Sequence, residues 1–368
     1  MKVLLIGEYS NVHATLADGL RVLGHEVTVV SNGDFWKDYP RDIDVSRRPG
    51  KIGGILLMAK LYLLLPKLRG YDIVQLINPM FFELKAERLF FFYNYLRKNN
   101  NKVFLGGFGM DWYWVHTSTY DKPLRYSDFN FGKEVRTDPE AVRYQNDWLG
   151  TAKERLNKHI AEDCDGIITG LYEYWVCYHP VFPEKTTFIP FPIKEAKNPS
   201  TTQVKRSKIT IFIGINSERS AYKGTDIMLK AALDIRQKYA HRMKLYIAES
   251  VPFSEYQEMM DGSDAILDQL YSYTPSMNPL LAMSKGIICI GGGEPENYDI
   301  IHEKELRPII NVKPNYESVY HELEELVTHP ERIPELKLQS IKYISRHHEY
   351  RKVAQLYIDF WGKTKPRH

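Results

Sequence analysis

Residues 209–232 read ITIFIGINSERSAYKGTDIMLKAA, and their pattern indicates the class of fold. It opens with a β-branched and aromatic run of the kind that forms a buried strand, which ends at Gly214. A polar loop then leads to Lys223 and Gly224, after which Thr225 is placed to cap a helix. The stretch therefore predicts a strand, a basic loop and a helix, which together are the repeating unit of parallel α/β sheets.

The loop inside this stretch carries groups that favour an anion. Arg219 and Lys223 are cations on a loop that leads into a helix N-terminus, where backbone N–H groups and the positive end of the helix dipole are exposed. We therefore predict that the loop binds a diphosphate. The predicted binding residues of this segment are Gly214, Asn216, Arg219, Lys223 and Gly224. The pattern alone leaves open a solvated loop whose basic residues are incidental.

Strand-like apolar runs alternate with helical patterns on both sides of this stretch. The runs are residues 2–7, 25–31, 72–78, 102–109, 164–170 and 186–193 before it, and 243–249, 265–270, 286–292 and 308–312 after it. Nearly continuous apolar strands separated by helices indicate parallel sheets that are covered on both faces. Residues 194–208 are polar and contain a proline, which is typical of a linker between domains.

The predicted fold is therefore α/β, with two doubly wound, Rossmann-like domains facing a central cleft. A chain of 368 residues is also too long for one ordinary core. We place the first domain at residues 1–194 and the second at residues 195–345. Residues 346–368 are predicted to form a C-terminal helix that packs back toward the first domain. In sheets of this type, ligands bind at the carboxyl ends of the strands.

A second anion site is predicted in DQLYSYTPSMNPLLAMSKG, residues 268–286. Asn278 is placed to cap a short helix that begins at Pro279 and ends at Gly286, so that free amides would point out of the sheet. The predicted binding residues of this segment are Gln269, Ser276, Met277 and Asn278. Taken alone, the pattern favours an ordinary connection between a strand and a helix.

In the first half of the chain, GGFGMDWYW (residues 106–114) ends a strand with a glycine turn. Asp111 would lie at the edge of the cleft, beside Trp112 and Trp114, whose rings could stack on the faces of a sugar. We predict a catalytic role for Asp111, with a plain turn aspartate as the alternative. From Asp111 to about residue 151 the chain has no periodicity, and a loop of that length is usually functional or mobile.

His13 lies where the first strand passes into the first helix. Ser10 and Asn11 just before it are residue types that cap helices, and they are predicted to lie on the substrate side of the site. His13 is predicted to be catalytic. The alternative is a histidine whose hydrogen bonds are satisfied within the turn.

The composition narrows the class of protein. A net charge of +3 gives no general argument for nucleic-acid binding, and none is predicted. The three cysteines lack metal-ligand spacing, so we predict no metal site and a reducing, cytoplasmic setting.

Residues 53–68 are apolar with basic residues at both edges, but they fall short of the roughly 18 residues of a membrane span. Such a helix can lie on the anionic inner face of a membrane, although packing on a sheet is the more frequent case.

Taken together, these segments resemble retaining glycosyltransferases of the GT-B fold, specifically those of the family 4 type. The resemblance covers most of the chain. Its residues in the second half are Lys223-Gly224, DAILDQL (264–270), LLAMSKG (280–286) and GGGEPE (291–296), in that order. In the first half, GFGMD (107–111) and DGIITG (165–170) are similar to corresponding segments of the family.

The resemblance implies transfer of a sugar, with retention, from a UDP- or GDP-sugar held mainly by the second domain. The acceptor, a glycan or lipid-linked molecule, would bind the first domain, and the product would belong to a surface polysaccharide or glycolipid. Lys223 matches the phosphate lysine of the family. The acceptor-side residues would be Ser10, Asn11, Trp112 and Trp114. The nucleotide sugar is a co-substrate, so no other cofactor is expected.

The chain departs from the family pattern at two glutamates, whose positions are taken by Tyr273 and Leu281. The second glutamate usually holds the ribose hydroxyls, which a leucine cannot do. We predict that a later carboxylate replaces it, with Glu296 in donor binding and Glu294 among the catalytic residues. The glycines before them are predicted to let the backbone approach the donor. A non-catalytic scaffold and a sugar-nucleotide epimerase on the same fold are the alternatives.

Overall fold

The computed structural model describes residues 1–197, 199, 208–216, 219–249, 251 and 253–365. Most of the predicted linker, residues 194–208, lies outside these ranges. The chain divides into two compact units. Unit 1 comprises residues 1–121, 143–192 and 350–365, and unit 2 comprises residues 122–142 and the described part of 193–349.

The strands and helices are numbered in chain order. Up to residue 192 they are β1 (Lys2–Ile6), α1 (Val12–Val22), β2 (Glu26–Ser31), β3 (Ile43–Asp44), α2 (Gly50–Leu64), β4 (Ile73–Leu76), α3 (Ala86–Asn99), β5 (Lys102–Gly107), α4 (Trp112–His116), β6 (Asn130–Phe131), β7 (Glu134–Val135), α5 (Pro139–Trp148), α6 (Ala152–Asp163), β8 (Gly166–Thr169), α7 (Tyr172–Tyr178) and β9 (Thr186–Phe188). After it they are β10 (Ile209–Ile215), α8 (Ser220–Lys223), α9 (Thr225–Lys238), β11 (Met243–Glu249), α10 (Phe253–Asp261), β12 (Ala265–Leu267), α11 (Met277–Ser284), β13 (Ile288–Gly291), α12 (Pro295–Ile300), β14 (Ile310–Asn311), α13 (Tyr316–Thr328), α14 (Ile333–His347) and α15 (Tyr350–Lys363).

Unit 1 is built on a seven-stranded parallel sheet in the order β3-β2-β1-β4-β5-β8-β9. All residues of β4 and β8 are buried, as expected for strands with helices on both faces. The C-terminal helix α15 also belongs to this unit and packs against α1. Its inward residues Val353, Ala354, Tyr357 and Trp361 are fully buried.

Unit 2 is built on a five-stranded parallel sheet in the order β11-β10-β12-β13-β14. Alternate residues of β10 pack into two separate cores, because successive side chains of a strand point to opposite faces. Ile211 and Ile213 pack with the apolar residues of α9 and α13, whereas Phe212 packs with Met260 and Ala282. The prediction of two Rossmann-like parallel-sheet domains is therefore confirmed.

The structure differs from the sequence prediction between Asp111 and residue 151. This stretch contains α4, a π-helical turn at Thr117–Asp121, the β6–β7 hairpin and α5. The sequence boundaries place all of it in the first domain, whereas residues 122–142 belong to unit 2. The predicted strands 186–193 and 308–312 are also shorter than expected, since they are reduced to β9 and β14.

None of the described helices combines the length and the apolar character needed to cross a membrane.

Candidate functional site

The strand order of unit 2 marks where a ligand would bind. From β10 the chain passes to β11 on one side and later to β12 on the other. This reversal makes a topological switch point at the carboxyl ends of β10 and β12, where ligands bind in sheets of this type. Three loops meet this edge: the β10 loop (216 and 219–224), the β12 loop (268–276) and the β13 loop (292–296), which includes the first two residues of α12. They carry seven of the ten residues predicted from the sequence to bind the donor; of the other three, one lies in β10 and two lie in α11.

Lys223 ends the short helix α8 in the β10 loop and is half-buried. Gly224 follows with φ +72, and a Cβ there would lie 2.6 Å from Cβ of Leu270. Leu270 N–H donates to the Lys223 carbonyl at 2.9 Å, so the two loops are fixed to each other. Helix α9 begins at Thr225 with Gly224 in the capping position, which corrects the prediction that Thr225 is the cap.

Asp268, the first residue after β12, was not selected from the sequence. Burial raises its pKa to about 6, while the nearby charge of Lys223 lowers it. Within the described part of the chain, its buried Oδ2 has no hydrogen-bond partner. Lys223 therefore lies beside a carboxyl group as well as at the sheet edge.

Helix α11 begins at Met277, one residue before the predicted cap. Ser276 occupies the capping position without a side-chain hydrogen bond, and the Asn278 amide donates to the Tyr256 hydroxyl at 2.5 Å. Met277 is buried, whereas Ser276 and Gln269 are half-buried at the loop. The predicted side-chain cap of Asn278 is thus replaced by a bond to α10.

The glycines after β13 let this loop pack on its neighbour. A Cβ on Gly292 would lie 2.2 Å from the carbonyl oxygen of Ser272 in the β12 loop. The close approach predicted from these glycines therefore includes contact between two loops of the protein itself. Leu281, at the position of the missing glutamate, is half-buried against the core.

Arg125, in the segment 122–142, holds both candidate glutamates of unit 2. Its guanidinium donates to Glu296 at 2.6 and 3.1 Å and to Glu294 at 2.7 Å. Its backbone N–H donates to the Tyr273 hydroxyl at 2.7 Å, and its guanidinium lies over the Tyr273 ring. The side chain of Arg125 is 56% exposed, whereas those of Glu294 and Glu296 are 11% and 24% exposed.

The hydrogen bonds separate the roles of the two glutamates. Besides Arg125, Glu294 accepts from the Tyr126 hydroxyl at 2.6 Å and from the Asn311 amide at 3.2 Å. Three of its roughly four acceptor positions are therefore occupied, and it is nearly buried. Burial is the largest influence on the pKa of Glu296 and raises it, but the hydrogen bonds from Arg125 and from its own backbone N–H, together with the charge of Arg125, outweigh burial and lower that pKa. Glu296 is also the more exposed of the two glutamates, at 24% against 11%, and is therefore the more accessible acceptor for a ligand hydroxyl.

Arg136, also in segment 122–142, fixes the turn that carries Lys223. Its guanidinium donates to the carbonyls of Ala221 at 2.9 Å and Tyr222 at 3.1 Å. It also stacks over the Tyr271 ring at 3.9 Å from the ring centroid. Arg219 is the predicted second phosphate cation, and its Nε lies 3.7 Å from Oε1 of Glu140. The negative charge of Glu140 partly offsets the positive charge of Arg219.

In unit 1, the turn after β1 is held by Glu8, which the sequence analysis missed. The Glu8 carboxylate accepts from the backbone N–H groups of His13 at 3.2 Å and Ala14 at 2.8 Å, so Glu8 caps α1. Ser10 and Asn11 have positive φ values of 51 and 73, and Asn11 makes no capping bond. The predicted caps are therefore replaced by Glu8, whose pKa is raised by burial to about 8.

His13 is fully buried in the same turn. Its Nδ1 lies 2.8 Å from the Gly7 carbonyl, and burial lowers its pKa to about 3. The ring is therefore neutral at ordinary pH and donates from Nδ1. Its Nε2 is buried and has no hydrogen-bond partner among the described residues, so the ring is only partly satisfied within the turn, and the catalytic role of His13 stays a prediction.

Asp111 is also fully buried. Its carboxyl accepts from the Trp114 N–H at 2.9 Å, and this bond caps α4. The carboxyl also accepts from the Tyr178 hydroxyl at 2.8 Å. Trp112 and Trp114 are 8% and 3% exposed, so their rings pack on protein groups and do not offer faces to a sugar. Asp111 therefore caps α4 and the two tryptophan rings are buried, while the catalytic and acceptor-side roles predicted for these residues stay predictions.

Asp111 makes a pH-dependent contribution to stability. Burial raises its pKa from 3.8 to about 7, so the folded state keeps a proton that the unfolded chain releases. The contribution of Asp111 to the unfolding free energy is full below pH 3.8 and is lost as the pH rises through about 7. Over this window the unfolding free energy falls by up to about 1.4 kcal/mol per pH unit. We expect Asp111→Asn to flatten the fall in unfolding free energy over this window. Denaturant titrations at several pH values test this, and parallel curves for the two proteins would contradict it.

Among the described residues, no group of three or more His, Cys, Asp and Glu side chains is arranged to hold a metal ion. A depression of about 380 Å³ beside α9 is lined by residues such as Ser220, Asp226 and Lys230, and none of the predicted donor residues lines it. The switch point of unit 2 thus remains the candidate site.

Two parallel-sheet units of this kind are the architecture of GT-B proteins. Sucrose-phosphate synthase from Thermosynechococcus elongatus is similar with a TM-score of 0.61 at 12% identity, over 99% of this chain and 100% of that one. HepE from Anabaena, in complex with UDP and glucose, gives a TM-score of 0.59 at 12% identity, with the same coverage of 99% and 100%.

The same fold also occurs in another class of enzyme. A protein assigned as a UDP-N-acetylglucosamine 2-epimerase from Listeria monocytogenes gives a TM-score of 0.54 at 12% identity, over 100% of this chain and 98% of that one. No family model matches the chain, and no curated protein matches it. The comparisons therefore confirm the GT-B fold.

Proposed function

We propose that the protein is a retaining glycosyltransferase that moves a hexose from a UDP- or GDP-sugar to a glycan or lipid-linked acceptor. The observation that carries this proposal is the convergence of three loops at the switch point of unit 2, with Lys223 and Glu296 on two of them. The structural similarity to HepE, a protein solved with UDP and glucose, supports a nucleotide sugar as the donor. We further propose that the enzyme acts in the assembly of a surface polysaccharide or glycolipid.

The proposed reaction requires the protein mainly to position the reactants and to stabilise the charge on the leaving group. A hydroxyl of the acceptor attacks the anomeric carbon from the side of the leaving group, the new C–O bond forms, and the bond to the diphosphate breaks. The departing diphosphate takes the acceptor proton, so no other co-reactant is needed. Lys223 would stabilise the negative charge that builds up on the diphosphate in the transition state. No protein nucleophile is required.

Glu296 is proposed to accept hydrogen bonds from hydroxyls of the donor, in place of the absent family glutamate. We expect Glu296→Ala to weaken donor binding about 10-fold or more, since a hydrogen bond to a charged group is lost. Calorimetric titration of the donor measures this. Glu305→Ala is a matched control, because Glu305 is also paired with an arginine, Arg346, in unit 2. Equal donor affinity in wild type and Glu296→Ala would remove Glu296 from the site.

A panel of nucleotide sugars tests the function as a whole. A donor at about 100 times its dissociation constant should add about 2.7 kcal/mol to the unfolding free energy. Stabilisation together with release of free UDP or GDP supports the transferase. Conversion of the nucleotide sugar to an isomer without release of nucleotide would identify an epimerase. The anomeric configuration of the product, read by NMR, tests retention.

A non-catalytic scaffold is the second candidate. Tyr273 and Leu281 replace the family glutamates, and both carboxylates of the β13 loop are already paired with Arg125. These features lower the number of free acidic groups at the donor edge. Absence of stabilisation by every nucleotide in the panel would favour this candidate over the enzyme.

We also propose that α2 rests on the anionic inner face of a membrane. Helices that are apolar on all sides are usually buried, yet this one exposes a second apolar face opposite its buried residues Leu57 and Leu61. The exposed residues are Ile52, Ile55, Leu56, Tyr62 and Leu63, of which Leu63 is 81% exposed. Basic residues flank the helix at Arg47, Arg48, Lys51, Lys67 and Arg69. Apolar insertion combined with this charge matches an anionic lipid surface.

Liposome sedimentation tests this location. We expect the protein to sediment with vesicles that contain anionic lipid and to remain in solution with phosphatidylcholine alone. Ile55→Glu should abolish sedimentation, whereas Val181→Glu, at another exposed apolar position of unit 1, should not. Sedimentation that is independent of anionic lipid would contradict the proposal. Conversion of a dimer to a monomer by Ile55→Glu would instead identify a second copy as the partner of α2.

A further inference from the structure

The segment 122–142 contacts all three loops of the candidate donor site. Arg136 binds the β10 loop through the carbonyls of Ala221 and Tyr222 and stacks on the β12 loop at Tyr271. Arg125 binds the β12 loop through Tyr273 and the glutamates at the β13 loop. These contacts add to the direct bonds between the loops, such as that from the Leu270 N–H to the Lys223 carbonyl.

The two arginines act on opposite ends of the site. Arg136 holds the two carbonyls that immediately precede Lys223, and its side chain is only 11% exposed. This bond restricts the turn on which the Lys223 ammonium is mounted. Arg125 makes a two-point contact with Glu296, which restricts the rotamers of that carboxylate. Each arginine thus fixes one of the two residues proposed to contact the donor.

Arg125 also reduces the net negative charge of the site. Glu294 and Glu296 alone would place two negative charges near a diphosphate and would repel it. With Arg125 between them the group carries one net negative charge. The carboxylate of Glu296 remains 24% exposed and accessible to hydroxyl groups, while the repulsion of phosphate is reduced.

We propose that the segment 122–142 is a positioning element of the donor site, in which Arg125 and Arg136 hold Glu296 and Lys223 in the geometry that a nucleotide-diphosphate sugar requires. This inference rests on the proposed function. Arg125 and Arg136 are positioning residues, since each acts through the group that it binds. Donor affinity should therefore depend on residues that lie far from the donor loops in the sequence.

Arg125→Ala tests the inference against a matched control. Arg346→Ala also removes an arginine of unit 2 that is about half exposed, and this arginine also bridges two glutamates, Glu303 and Glu305. We expect Arg125→Ala to raise the dissociation constant of the donor about 10-fold, Arg125→Lys to restore part of the loss, and Arg346→Ala to change it less than about 2-fold. Equal effects of the two alanine variants, or none for Arg125→Ala, would overturn the inference.

Hydrogen–deuterium exchange gives a readout that does not depend on the donor. In the protein without ligand, Arg136→Ala should increase exchange in the β10 loop, and Arg125→Ala should increase it in the β12 and β13 loops, whereas Arg346→Ala should change none of them. Unchanged exchange in all three loops would overturn the inference. If the wild-type protein binds no nucleotide sugar, the proposed function fails, and the exchange result alone decides whether the segment positions these loops.

Discussion

Lys223→Ala is expected to lower the rate of sugar transfer by about 10²- to 10³-fold, which is the usual effect of removing one group that stabilises charge in a transition state. Lys223 ends α8 at the switch point of unit 2, and its carbonyl is bonded to Leu270, so its backbone position is fixed. The alanine variant should keep the turn while losing the ammonium. Initial rates of UDP or GDP release with the preferred donor and acceptor measure the effect.

The control for this variant is Lys230→Ala. Lys230 lies on α9 of the same unit and pairs with Asp234, and its side chain is 67% exposed. Its removal should leave transfer within about 2-fold of wild type and should change stability little, because an exposed ion pair is screened by solvent. A Lys223→Ala variant with the activity of wild type would show that the diphosphate, if one is bound, lies elsewhere.

Lys337→Ala is expected to lower the unfolding free energy by about 3–5 kcal/mol, because it leaves a buried carboxylate without its cation. The Lys337 ammonium donates to Asp264 at 2.9 Å, and their side chains are 3% and 7% exposed. Asp264 also accepts from the Thr210 N–H at 3.0 Å, so the pair joins α14 to the start of β10. Chemical denaturation of wild type and variant measures the loss.

A second pair of variants separates the missing cation from the missing packing, because methionine keeps most of the side-chain volume of Lys337. Lys337→Met combined with Asp264→Asn should be less destabilised than Lys337→Met alone, since no uncompensated charge remains in the interior. If these two variants lose the same free energy, the uncompensated carboxylate is not the cause of the loss.

The parts of the fold that follow from local patterns could be predicted from the sequence. Residues 209–213 alternate between two cores, and a strand with apolar residues on both faces is readable as such. The position of Lys223 at the end of that loop follows from the same pattern. Strand length was predicted less well, because an apolar run such as 186–193 continues to be buried after it has left the sheet.

The side-chain network of the site could not be predicted, because its partners are distant in sequence. Arg125 lies in a stretch without periodicity, and nothing in that stretch indicates that its partners are Glu294 and Glu296. The stacking predicted for Trp112 and Trp114 was inferred from residue type, which does not distinguish a ring in a ligand site from a ring in a core. For residues 122–142, the sequence indicated a functional segment through its lack of hydrophobic periodicity.

The bond between Arg125 and Glu296 has a consequence for the order in which the protein is made. The two residues are 171 positions apart, so Arg125 leaves the ribosome well before its partner exists. At about 5–20 residues per second, the wait is roughly 10–35 seconds. During that time Tyr126, which is buried in the finished protein, lacks its hydrogen-bond partner Glu294. The element that ties the donor loops together is thus a part of the nascent chain that depends on protection from aggregation until most of unit 2 has been made.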